Sequence, residues 1–187
     1  GGIACGKSLV GRFFSDEGIP VCEADELGHE QLLPGHRAYQ KVVRFFGRGC
    51  LLPDGRIDRQ WLGRRVFSKP SDLAILNRIV HPGVRRAWRQ WLVRQDREAE
   101  AAAIIVPLLY EVGEGHGWDA VVCVMATETI QLRRIIDRGQ SEIEARRRMR
   151  AQMETAVKAT LADYVIMNNG TEASVREQTK RVIRCIL

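Results

Sequence analysis

At 187 residues the chain can bury one substantial core, and one domain with at most a small inserted subdomain is expected. Hydrophobic residues make up 45% and charged residues 28%, with no run of about 18 apolar residues, so a bilayer-spanning helix is excluded on composition and a cytoplasmic protein is the expectation. The formal net charge of +6 favours an anionic partner: nucleic acid, an acidic membrane surface or a multiply phosphorylated small molecule.

In chain order, a glycine-rich turn opens into a helix predicted over Lys7 to Glu17, which Gly18 closes as a left-handed cap. Ile19 to Cys22 reads as a short strand that delivers Glu23, Ala24 and Asp25 at its C-terminal end. From about Glu26 to 99 the pattern is helical and is punctuated by Pro34-Gly35, Asp54-Gly55, Pro70 and His81-Pro82, which predicts a helical insertion. The runs Ala103–Val106, Ala120–Met125 and Tyr164–Met167 read as strands buried on both faces, the signature of a parallel sheet. Thr127 is a candidate N-cap for a helix reaching about Arg138, and Thr171 or Ser174 for a last helix. The alternation of strand and helix predicts an α/β core formed by residues 1–25 and 100–187. Cys5, Cys22, Cys50, Cys123 and Cys185 are odd in number and widely spaced, which suggests reduced thiols rather than a zinc site or a disulfide framework.

The strongest chemical signal is Gly1, Gly6, Lys7 and Ser8, which satisfy G-x-x-x-x-G-K-[ST]. In that pattern main-chain N–H groups and a helix N-terminus surround nucleotide phosphates. Lys7 would reach the β- and γ-phosphates, and the Ser8 hydroxyl would ligate a Mg²⁺ bridging the same groups. The competing reading, an ordinary glycine turn before a helix, is weak, because a chance match has odds on the order of one in a hundred. A loop of this kind follows a central strand, and because Gly1 already belongs to the loop, the expectation is a first strand that these residues do not include.

Read outward from Gly1-Gly2-Ile3-Ala4-Cys5-Gly6-Lys7-Ser8, the sequence resembles the dephospho-CoA kinases over nearly its whole length. The further matching segments are Gly18 to Asp25, Phe46-Gly47, Asp54 to Arg59, Leu76 to Pro82, Pro107 to Glu111, Gln131 to Arg134, Arg148 to Gln152, Ala162 to Ile166, and Asn169-Gly170. The resemblance implies a P-loop NTPase fold: a three-layer α/β/α parallel sheet, a helical acceptor-binding insertion at about 26–99, and an arginine-bearing lid at about 138–152. It implies ATP-dependent phosphorylation of the ribose 3′-hydroxyl of dephospho-CoA, the last step of coenzyme A synthesis. ATP and Mg²⁺ are the implied cofactors, and ATP and dephospho-CoA the small-molecule partners, with no nucleic acid and no membrane. Gly1, Gly2, Ile3, Ala4, Cys5, Gly6, Lys7, Ser8 and Leu9 would hold ATP together with Arg148. Asp25 would accept or orient the acceptor hydroxyl, and Lys7 and Arg138 would stabilise the transferring phosphoryl group. Arg59, His81, Tyr110 and Glu111 fall in motifs on the acceptor side.

Plainer readings compete at several of these positions. Asp25 could simply cap the next helix, and His81 before Pro82 could only end one. The Glu142–Arg146 and Glu144–Arg148 spacings fit ordinary i,i+4 pairs on a solvated helix. Tyr39, Trp88 and Trp91 read as packed aromatics. The sequence departs from the family pattern at Ala4-Cys5, Leu9 and Glu23, and the strand Ile104–Val106 lacks an acidic residue for Mg²⁺, leaving Ser8, water and Asp25 to hold it. Cys5 beside a helix N-terminus could be a reactive thiol or a quiet one. The rival functions are a related P-loop kinase of another nucleoside or nucleotide, a nucleotide-dependent nucleic-acid-binding switch, and a catalytically dead nucleotide binder.

Overall fold

The computed structural model describes residues 1–95 and 99–187, apart from the side chain of Phe67. They fall into two units, Gly1–Val21 with Glu98–Leu187, and Cys22–Arg97. The second unit begins at Cys22, and its far boundary lies outside the described residues.

In the first unit, helix α1 (Lys7–Asp16) buries Val10, Phe13 and Phe14, the i, i+3, i+4 spacing that puts three side chains on one face. It ends as the sequence predicts. Gly18, at φ 84°, donates its N–H to Ser15, and Ile19 donates to Phe14, the paired bonds of a Schellman cap. Strand β1 (Val21–Glu23) leads out of this unit, and helix α2 (Ala24–Gln31) begins directly after it. Asp25 therefore lies in the first turn of a helix rather than on a strand end, where its charge suits the positive helix terminus.

Strand β2 (Ala103–Ile105) receives the chain on its return, with the Ala103 N–H donating to the Pro20 carbonyl at 2.8 Å. Strand β3 (Val122–Met125) pairs in parallel with a strand at Tyr164–Met167, in the register Val122 to Tyr164 through Met125 to Met167. Between them run α6 (Glu128–Ile136), α7 (Glu142–Arg150) and α8 (Thr155–Thr160), so Tyr164–Met167 is β4 and the closing helix Glu172–Ile186 is α9. Thr127, Ser141 and Thr171 cap α6, α7 and α9 through their hydroxyls. Val10, Phe13 and Phe14 pack with Val124, Ile166, Val175, Val182 and Ile183 into this unit's main core.

Two strand expectations are corrected. β4 is covered on one face only, because Val165 and Met167 are about 40% exposed while Ile166 is fully buried. The described strands also form two pairs, β1 with β2 and β3 with β4, rather than one continuous layer. A cavity of about 440 Å³ is bordered by every residue of Ala101–Val106 on one side and of Asp119–Val124 on the other. A strand's face shows alternate residues, whereas its edge shows all of them, so this cavity runs along two strand edges.

The second unit is helical: α2, α3 (Arg37–Phe46), α4 (Arg59–Ser68) and α5 (Pro70–Gln95), with a short 3₁₀ turn at Arg48–Cys50. Val42, Cys50, Ile57, Leu62 and Val66 form its core, and Tyr39 packs against them as its hydroxyl donates to the Gly55 carbonyl at 2.6 Å. Trp61 packs there too, while Trp88 and Trp91 on α5 are half-buried. The predicted break at His81-Pro82 does not occur; the 26-residue helix α5 runs through Pro82. An interior proline costs roughly 3 kcal/mol, and packing of α5 against α2, α3 and α4 offsets it. Asp72 is buried in this unit and receives Arg65 at 2.8 Å and Lys69 at 3.3 Å. Burial pushes its carboxyl up, but the hydrogen bonds from Lys69 and Arg65 outweigh it and hold the group below the usual carboxylate range.

Candidate active site

The opening loop is shaped by three constraints on its backbone. Gly1 lies against β3, where an added Cβ would fall 2.0 Å from the Val124 carbonyl oxygen. Gly6 has φ 97° and is the N-cap of α1; a Cβ there would fall 2.0 Å from Asn168 Nδ2. Left-handed geometry and lack of space both require glycine at that position. Ala4 also has positive φ, 57°, a conformation that costs a non-glycine residue roughly 1–2 kcal/mol. These turns direct the chain into α1, whose first-turn amides have no intrahelical carbonyl to receive them.

Lys7 folds back across the loop and donates to the carbonyls of Gly2 at 2.8 Å and Gly1 at 3.2 Å. Ser8 is exposed on the first turn of α1, and Leu9 turns its side chain toward the core. Cys5 is fully buried in the same core, which makes it the quiet thiol of the two readings. Ala4 packs with Ile135 and Ala145, beside Ile3, Leu132 and Met149. The departures at Ala4-Cys5 thus fill apolar space beneath the loop. The Ile3 amide donates to Gln152 Oε1 at 2.9 Å, so that N–H is engaged by a side chain.

The same cluster seats α7, the arginine-bearing helix, on the loop's apolar side. Arg146 pairs with Glu142 at 2.8 Å, and Arg148 pairs with Glu144 at 3.2 Å, both i,i+4. These are the ordinary helix pairs the sequence allowed, and they hold Arg148 along its helix. Arg138 is exposed just beyond α6. Tyr110 donates its hydroxyl to the Leu161 carbonyl at 2.8 Å. Glu111 accepts from the Met153 amide at 3.0 Å and lies 2.6 Å from the buried ammonium of Lys158. Burial raises the Glu111 carboxyl, but the Lys158 hydrogen bond outweighs it and the net displacement is downward. Tyr110 and Glu111 thus brace the first unit internally.

Asp25, Arg59 and His81 belong to the second unit. There Asp25 and His29 share a face of α2 at i,i+4 spacing, and Arg59, the first residue of α4, donates to His29 Nε2. Asp58 caps α4 and fixes Arg59 beside it, accepting from Gln60 and Trp61 at 2.9 Å. Burial and then the Arg59 charge hold the His29 imidazole below its ordinary value, against the opposing pull of Asp25. His29 escaped the sequence reading, although its spacing from Asp25 could have marked it. His81 is half-buried inside α5, the helix that packs against α2.

No group of three or more His, Cys, Asp or Glu side chains able to hold a metal occurs among the described residues. One exposed hydroxyl at Ser8 fits a Mg²⁺ that arrives on a nucleotide and keeps phosphate and water ligands.

A glycine-bent loop feeding a helix N-terminus, with a lysine across it and an arginine helix seated beside it, is an arrangement suited to the anionic groups that a phosphotransferase handles. The dephospho-CoA kinase family model matches residues 1–174. A dephospho-CoA kinase of Geobacillus kaustophilus is 42% identical over all of this chain and 92% of its own length. The Arabidopsis thaliana dephospho-CoA kinase is 37% identical, over 98% of this chain and 80% of its own length. Among solved structures, TT1252 from Thermus thermophilus superposes with a TM-score of 0.86 at 31% identity, covering 100% of this chain and 94% of that one. Dephospho-CoA kinase from Campylobacter jejuni gives a TM-score of 0.70 at 28% identity, over 98% and 92%. The chain belongs to the dephospho-CoA kinase family.

Proposed function

We infer that this protein phosphorylates dephospho-CoA with ATP, completing coenzyme A; the full-length match to kinases of that name carries the reading. ATP is a substrate, and the loop Gly1–Ser8 is its triphosphate site. In the transfer step the acceptor hydroxyl oxygen bonds to the γ-phosphorus, the bond from that phosphorus to the β,γ-bridging oxygen breaks, and ADP leaves. The hydroxyl proton passes to the Asp25 carboxylate, and His29 and Arg59 hold the acceptor side of α2 in a defined charge state. Lys7, Arg138 and Arg148 supply positive charge to the transferring group, as phosphoryl transfer demands. Mg²⁺ on Ser8 would neutralise the β- and γ-oxygens when bound.

The same reading gives the core a continuous three-layer P-loop sheet. A further parallel strand in the cavity bounded by β2 and β3 would pair with both edges and join the two strand pairs. Cys22–Arg97 is then the acceptor-binding insertion, and α7 is part of the lid.

The test is a coupled assay of ADP release with dephospho-CoA against a panel of nucleosides and nucleotides. Strong, selective stimulation by dephospho-CoA is expected. Equal stimulation by other acceptors would assign the chain to a broader nucleotide kinase activity instead.

A further inference from the structure

The P-loop pattern says which residues line a phosphate cradle, but not what keeps its carbonyls turned away from the anion. For main-chain N–H groups to converge on a phosphate, the intervening carbonyls must point outward, and partly buried carbonyls need donors of their own. At this loop two side chains from distant segments provide them. Arg134, near the end of α6, donates through Nη1 to the Ala4 carbonyl at 3.2 Å and to the Cys5 carbonyl at 3.5 Å. Its Nη2 donates to the Asn168 carbonyl at 3.2 Å and to Asn168 Oδ1 at 3.0 Å. Asn168 is 3% exposed and follows β4 directly; its Nδ2 donates to the same Cys5 carbonyl at 2.8 Å. The Asn168 main-chain N–H is itself fixed to Met125 at 2.7 Å, extending the β3–β4 ladder by one bond.

The network therefore anchors the loop to the end of the parallel strand pair. It acts where the loop is most strained, at Ala4 with φ 57° and at the peptide that follows it. It also explains the crowding at Gly6, since Asn168 Nδ2 occupies the space a Gly6 side chain would need. Without these donors, the Ala4 and Cys5 carbonyls are free to rotate, relieving the left-handed residue and turning the neighbouring amides away from an anion.

We propose that Arg134 and Asn168 are positioning residues that hold the Gly1–Ser8 loop in its phosphate-binding conformation. The proposal rests on the reading of that loop as the ATP site. Arg134 meets the loop at the Ala4 and Cys5 carbonyls, so its effect falls on nucleotide affinity and not on the acceptor. Hydrogen bonds from a charged donor support a loss of about tenfold or more in affinity.

The experiment measures ADP binding by calorimetry, KM for dephospho-CoA, and melting temperature in the full chain. Arg134→Met and Asn168→Ala are expected to weaken ADP at least about tenfold while KM for dephospho-CoA stays within about twofold. Millimolar guanidinium is expected to restore part of the ADP affinity of an Arg134→Ala variant, because it refills the donor site. Arg133→Ala removes an equal charge from a neighbouring exposed side chain and is expected to change nothing. Should Arg134→Met fail to fold, Arg134→Lys decides: it keeps the charge but not the planar fork, and it is expected to lose ADP affinity and regain none with guanidinium-free charge alone. ADP affinity within twofold of the parent, or a loss that tracks melting temperature and raises the KM for dephospho-CoA equally, overturns the proposal. Lys7→Ala keeps the two readings apart. If it leaves ADP binding intact, the loop is not the nucleotide site; if it abolishes binding while the Arg134 variants do not, only the positioning role is wrong.

Discussion

The opening loop of the first unit and the helical unit use their polar side chains differently. In the first, long polar side chains reach main-chain groups: Lys7 to Gly1 and Gly2, Arg134 to Ala4 and Cys5, Gln152 to Ile3. In the helical unit Asp72 and His29 instead receive other side chains, Arg65 and Lys69 at Asp72 and Arg59 at His29. Side chains spent on the backbone hold a conformation, which suits recognition of phosphate by amides. Side chains paired with each other fix one another's charge and orientation, which under the proposed reading would suit recognition of one particular acceptor.

That contrast is sharpened first by separating the two substrates. Lys7→Ala is expected to reduce kcat by about 10²–10³, the scale of losing one preorganised charge at the transition state, with a raised KM for ATP. Asp25→Asn is expected to lower kcat by roughly 10² while ATP affinity stays within about twofold, in steady-state assays varying each substrate. A large rise in KM for ATP there would break the division of labour between the units.

Stability gives a smaller test. Glu111→Gln leaves the Lys158 ammonium buried beside a neutral amide and is expected to cost about 3 kcal/mol in urea unfolding. Replacing both residues with apolar ones of similar volume is expected to cost less. The Glu111 carboxyl lies below its ordinary 4.5 in the folded state, so its contribution is present above that pH and is lost as pH falls through the folded value. Acid unfolding of the Glu111→Gln variant is expected to be correspondingly flatter.

The smallest effect concerns His29. Its folded value is depressed from 6.5, so the unfolded chain binds more protons in the window just below 6.5, and stability there rises with pH. His29→Gln is expected to remove that part of the slope, measured by chemical unfolding between pH 5 and 7.

Much of this architecture was legible in the residues. The α1 span, the Gly18 cap, the Thr127 and Thr171 caps and the β4 limits follow from local spacing and cap chemistry, which are properties of a few adjacent residues. Pro82 misled because helix breaking is a local cost, and packing along a 26-residue helix overrides it. The loop itself was readable from Gly1, Gly6, Lys7 and Ser8, but its supports were not. Arg134 and Asn168 lie more than 120 residues away, and no periodicity connects them to Cys5. His29 could have been read from its distance to Asp25, whereas its contact with Arg59 depends on the packing of two helices.

The margins of β2 and β3 that border the same cavity have a bearing on handling and assembly. Each offers main-chain donors and acceptors along its length, flanked by the apolar side chains of Val10, Phe14 and Ile183. Such a groove is receptive to any extended polypeptide of suitable greasiness, including a neighbouring molecule caught partway through folding. Protein prepared as these 187 residues should therefore clump more readily during refolding at high concentration than at low. A short apolar ribbon lodged in the groove should suppress that loss.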